Sequence, residues 1–77
     1  MSINRVGFGI KYKYLEEDYL YFPDFDITLS NGKRLMIELK ANWMISFDKK
    51  TPFKLKAGED YVRSSDIFDY YLVLTED

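Results

Sequence analysis

Asp24, Glu38 and Lys40 are the residues whose types and spacing could do chemistry in this chain. Glu38 and Lys40 stand two apart in the run Leu35-Met36-Ile37-Glu38-Leu39-Lys40, so a strand there puts both on one face. Asp24 opens the alternating stretch Asp24-Phe25-Asp26-Ile27-Thr28-Leu29. Two carboxylates facing each other from neighbouring strands repel, and one would take up a proton. A divalent cation removes that penalty. Mg²⁺ prefers hard oxygen ligands and keeps several waters, so two carboxylates and a backbone carbonyl suit it. It would activate a bound water and polarise a phosphate oxygen. Lys40 would orient the nucleophile or stabilise charge developing on the phosphate. Such a set hydrolyses a phosphodiester without histidine or cysteine. The plain alternative is a solvent-facing patch in which Glu38 and Lys40 form a weak surface pair.

The elements that must position these residues are two strands and the turn between them. Asn31-Gly32 first suggests a two-residue type I′ turn. That register opposes Asp26 to Ile37 and mixes polar with apolar faces. A three-residue loop, Ser30-Asn31-Gly32 with Gly32 left-handed, pairs Leu29 with Lys33 and, by the same count, Asp24 with Glu38. Phe25, Ile27 and Leu29 then share a face with Leu35, Ile37 and Leu39, which is expected to be the core face. Asp24, Asp26, Glu38 and Lys40 share the other.

Composition removes other chemistries. With neither cysteine nor histidine, disulfides, thiolate sites, zinc hydrolase motifs and Ser-His-Asp triads are out. The 77 residues suit one small domain, which buries only roughly 60% of its unfolded surface. Seven Tyr, six Phe and one Trp are a heavy aromatic load, partly core and partly available to an oligomer interface or a ligand. The net charge of −2 and pI near 5.0 are not the footprint of a dedicated nucleic-acid binder, although Lys49, Lys50, Lys54 and Lys56 cluster. No apolar run has the roughly 20 residues a bilayer span needs, and no signal peptide is visible, so a soluble cytoplasmic protein is expected.

Taken in order, residues 1 to 9 give no periodic signal. Ile10, Tyr12 and Tyr14 alternate with Lys11 and Lys13, predicting a half-buried strand. Glu16-Glu17-Asp18 reads as a turn. A second strand runs from Tyr19 toward Leu29, interrupted at Pro23 by an edge or bulge. Trp43, Met44, Ile45 and Phe47 are too apolar for a bare loop and are expected to cap the core. Thr51 and Pro52 read as N-cap and first residue of a helix reaching about Ser64, with Gly58 letting it lie close on the sheet. Tyr70-Tyr71-Leu72-Val73-Leu74 reads as a strand buried on both faces. The fold class is α+β, a small mixed sheet in the order β-β-β-α-β.

The segments Tyr21-Phe22-Pro23-Asp24-Phe25 and Leu35-Met36-Ile37-Glu38-Leu39-Lys40 together resemble the PD-(D/E)XK nuclease superfamily, in particular its small phage-type junction-resolving and head-completion endonucleases. The resemblance covers about residues 10 to 77. It implies a minimal restriction-endonuclease-like core and a Mg²⁺-dependent DNA endonuclease, with Mn²⁺ able to substitute. Asp24 and Glu38 would bind the metal, the Leu39 carbonyl would be a further ligand, and Lys40 would be the catalytic lysine. Asp26, on the same face, is either a further acid that compensates for one a first helix would supply or, more in keeping with its position, a solvated neighbour or a group that supports the metal ligands; Lys54 and Lys56 are either phosphate contacts or ordinary exposed helix lysines. Family members usually begin with a helix, which the residues before Ile10 do not offer. With the short chain and the aromatic load, that absence predicts a homodimer or higher homo-oligomer. The alternative function is a non-catalytic nuclease-like module that binds DNA or serves virion assembly.

Overall fold

The computed structural model describes residues 1–41 and 48–76. They form an α+β domain of six strands in two sheets and one helix. The strands are β1 (Ser2–Arg5), β2 (Ile10–Tyr14), β3 (Glu17–Tyr21), β4 (Phe25–Thr28), β5 (Arg34–Ala41) and β6 (Tyr70–Glu76), and the helix is α1 (Thr51–Ser64). One sheet has the order β1-β4-β5-β6, antiparallel up to β5, with β6 parallel to β5 after the α1 crossover. The other is the β2–β3 hairpin. The expectation for Trp43, Met44, Ile45 and Phe47 lies outside the described residues. Among the described residues no helix is long and apolar enough to cross a membrane.

The β4–β5 turn forms as its parity requires. Phe25 opposes Ile37 and Thr28 opposes Arg34, the Leu29 amide donates to the Lys33 carbonyl at 2.8 Å, and Gly32 has φ +88°. Glycine takes that conformation without steric cost.

Four other expectations are corrected. Ser2–Arg5 is a strand: it pairs with β4 at the sheet's edge, and edge pairing needs no apolar alternation. The segment from Tyr19 to Leu29 is not one strand; Pro23 separates β3 in the hairpin from β4 in the main sheet. The hairpin turn is Leu15-Glu16, both with positive φ, and Glu17 and Asp18 belong to β3. At the helix, Lys50 is the N-cap without a side-chain bond; Thr51 is buried in the first turn, followed by Pro52.

The largest correction concerns the core. Met36 is fully buried and packs with Ile10, Tyr12, Tyr21, Val62 and Phe68. The hairpin and α1 therefore cover the even-numbered face of β5, the face of Met36, Glu38 and Lys40. Gly58 marks how close the helix comes: a Cβ there would lie 2.6 Å from the Tyr71 ring. Leu39, Leu72 and Leu74, on the odd-numbered face, are exposed. β6 is thus an edge strand open on one face, not a strand buried on both. The reason is chemical: the tyrosines of β3 and β6 bring hydroxyls as well as rings, so they can cover a face that carries a carboxylate.

Candidate metal and phosphodiesterase site

Strand β5 ends with Glu38 and Lys40 on its covered face. Their side chains are only 5% and 12% exposed, and Lys40 Nζ lies 3.5 Å from Glu38 Oε2. A weak surface pair is excluded by that burial. The other carboxylate oxygen, Oε1, accepts the Tyr21 hydroxyl at 2.7 Å. Tyr21 in turn lies 2.9 Å from the Tyr71 hydroxyl. Tyr21 has one hydroxyl proton and directs it at Glu38, so Tyr71 donates to Tyr21. The result is a relay from β6 through β3 to the carboxylate on β5.

Asp24 reaches the same place by a different route. The β4–β5 register would set it opposite Glu38, but its amide donates to the Ile37 carbonyl at 3.1 Å, one residue short. Pro23, immediately before it, has no amide to extend the ladder. The Asp24 carboxylate turns onto β5, where Oδ2 accepts the Leu39 amide at 2.8 Å. Its charge acts on Glu38: burial raises the Glu38 pKa, Asp24 raises it further, and the Tyr21 hydrogen bond and Lys40 oppose both. Burial and the two hydrogen-bonded neighbours also raise Tyr21. Tyr71 is pushed up to about 12, chiefly by burial. Both phenols remain protonated donors at neutral pH.

The structure thus brings Asp24, Glu38, the Leu39 backbone and Lys40 together. It does not bring in the other three candidates. Asp26 makes a two-point ion pair with Arg34, through Nε at 3.3 Å and through Nη2. Arg34 also lies over the Phe68 ring at 4.8 Å. Asp26 is therefore held by a structural partner. Lys56 pairs with Asp60, one helical turn on, at 3.1 Å. Lys54 acts on Asp48, whose carboxyl is held below its usual range, first by the Lys50 amide and more weakly by Lys54 and Lys40.

Tyr21 and Tyr71 were missed as site residues. The signals were present: Tyr21 opens the Tyr21-Phe22-Pro23-Asp24 segment, and the mid-helix Gly58 foretold a close approach whose other side is Tyr71. Asp48 carried no such signal. A groove of about 800 Å³ between β2 and α1, lined by Lys11, Lys13, Phe53 and Lys56 among others, shares no residue with this site.

Two carboxylates with a neighbouring backbone carbonyl suit a hard cation that keeps most of its waters. The mutual repulsion sensed by Glu38 is the feature that a cation would relieve. Among the described residues no group of three or more acidic, histidine or cysteine side chains could hold a metal. The donor set is therefore limited to this pair and the backbone. No protein-family model, curated protein or solved structure matches the chain.

Proposed function

We propose that the chain is a Mg²⁺-dependent DNA endonuclease with Asp24, Glu38 and Lys40 at its centre. One observation carries the reading: the Asp24 carboxylate, just before β4, is fixed on β5 by the Leu39 amide at 2.8 Å, between Glu38 and a nearly buried Lys40 that stand 3.5 Å apart. Asp24, fixed by the Leu39 amide, and Glu38, fixed by Tyr21, would hold the cation, with the Leu39 carbonyl beside them. Bound Mg²⁺, or Mn²⁺ in its place, supplies Lewis acidity toward a phosphate oxygen and an acidified water. Lys40 exchanges its contact with Glu38 for the phosphate or the attacking water and offsets charge that grows on the phosphate oxygens. Tyr21 keeps Glu38 oriented throughout.

A second reading is a nuclease-like module that binds DNA or a partner without cutting. Both Glu38 oxygens already have protein partners, and the net charge is −2. Cleavage of supercoiled plasmid and branched DNA with Mg²⁺ or Mn²⁺ separates the two. The nuclease reading predicts metal-dependent nicking that Glu38→Ala and Lys40→Ala each abolish. Cleavage indifferent to both substitutions removes the site assignment, and binding without cleavage under either metal favours the second reading.

A further inference from the structure

The groove between β2 and α1 is concave surface that the proposed metal centre does not use. It measures about 800 Å³ and runs along both elements. Phe53, Ala57 and Tyr61 recur every four residues on its helix wall, so one face of α1 lines it over about 12 Å. Ala57, the smallest of the three, keeps the middle hollow. The other wall is β2, whose alternation turns Ile10 and Tyr12 inward and leaves Lys11 and Lys13 in water.

Two kinds of group meet at this groove. The first is flat and apolar. Phe8, Phe22 and Phe53 are the exposed phenylalanines among the described residues, between 37% and 59% open, and all three border it. Phe53 lines it directly, with the Tyr14 ring edge-on at 5.3 Å. Phe8 lies 5.3 Å from the Tyr61 ring. Phe22 rests on Gly9, where a Cβ would come within 3.0 Å of the ring. The second kind is cationic. Lys11 and Lys13 stand about 6.6 Å apart along one wall, and Lys56 stands on the other. Asp60 is the one acid among the described lining residues, and Lys56 already holds both its oxygens, at 3.1 and 3.2 Å. Lys13 reaches Asp18 only at 3.9 Å. Ion pairs this exposed are weak in water and give way to a better anion.

We propose that the groove binds an unpaired strand of DNA, its bases against the phenylalanines and its phosphates against the lysines. Charge complementarity selects this occupant. An acidic peptide would satisfy the lysines and leave three rings facing water. An apolar protein surface would cover the rings and strip water from three ammonium groups without giving them a partner. A strand whose flat rings alternate with negative charges uses both. A duplex hides its base faces in its own stack, so the strand must be unpaired. The choice of DNA over RNA rests on the nuclease reading; the groove itself uses none of Asp24, Glu38 or Lys40.

Fluorescence anisotropy of a labelled single-stranded DNA of about ten nucleotides tests this, in chelator so that metal-dependent cleavage is silent. Binding to the full chain should weaken with salt, log K falling on log salt with a slope near −2, from three phosphate contacts at about −0.7 each. Lys11→Ala and Lys13→Ala should each flatten that slope by about 0.7. Phe53→Ala should weaken binding roughly 10-fold at an unchanged slope, and Phe53→Trp should keep it. These variants replace exposed side chains, and far-ultraviolet circular dichroism checks that the fold is kept. Lys33→Ala, outside the groove lining, should bind as the wild type does. No binding, equal binding of a blunt duplex of the same length, displacement by polyglutamate at matched charge, or indifference to Phe53→Ala overturns the proposal. Tighter binding of RNA of the same sequence overturns the choice of DNA. Metal-dependent cleavage by a chain that fails these binding tests would sink this proposal alone, and strand binding without cleavage would sink the nuclease reading alone.

Discussion

The Tyr21 hydroxyl donates to Glu38 Oε1 at 2.7 Å across two separate sheets. It is the contact by which the hairpin, otherwise packed through its rings, grips the strand that carries the candidate site. Removing it with Tyr21→Phe leaves a buried carboxylate oxygen without a donor and Tyr71 without its acceptor. A loss of about 1–3 kcal/mol is expected in urea unfolding. Unchanged stability would mean that water replaces the hydroxyl and that the grip is incidental.

Gly58 and Tyr71 link the helix to the same relay. Alanine usually stabilises a helix interior by about 1 kcal/mol over glycine. Here its Cβ would meet ring carbons at 2.6 Å and the hydroxyl at 2.8 Å. Gly58→Ala should therefore lower the melting temperature, and combining it with Tyr71→Leu should recover part of the loss. A stabilising Gly58→Ala would refute the close approach.

Asp26 tests how the acids divide their roles. It shares the Glu38 face but is paired with Arg34. Asp26→Ala should cost about 1–2 kcal/mol, the range for a partly exposed charged hydrogen bond. Its divalent-cation affinity should stay at the wild-type value. A variant that lost metal affinity while remaining folded would return Asp26 to the site.

Glu38 should also shape the pH dependence of stability. Burial raises its folded-state pKa, so the folded chain favours the protonated form. That contribution is full below the ordinary glutamate pKa and is lost as pH rises through the raised value. Relative to Glu38→Gln, the wild type should lose stability from the ordinary carboxylate range upward. Urea unfolding of both at a series of pH values reads the difference; parallel curves would contradict the burial of an ionisable Glu38.

The hairpin that bears the candidate residues was legible because a three-residue loop fixes parity, and parity fixes which residues oppose one another. Helix α1 was legible to its last residue, Ser64, because Leu55, Gly58, Tyr61 and Val62 recur at helical spacing and Ser65 ends the run. The buried face was not. Hydrophobicity alone assigns Phe25, Ile27, Leu35 and Leu39 to the core, and it cannot see that tyrosines from elsewhere can seal a face holding Glu38. Nor did the sequence mark the Leu15-Glu16 turn. Positive φ at two successive residues normally selects asparagine and glycine, and here the pairing of β2 with β3 imposes it on other side chains.

The joint hold of Asp24 and Glu38 on one divalent cation is the claim on which the proposed chemistry stands. Calorimetric titration of the chain with Mn²⁺ tests it most directly. The expected result is one site per chain, lost in Asp24→Asn and in Glu38→Gln, and tightening as pH rises because Glu38 must ionise to bind. No binding, or binding that both folded variants retain, would contradict it.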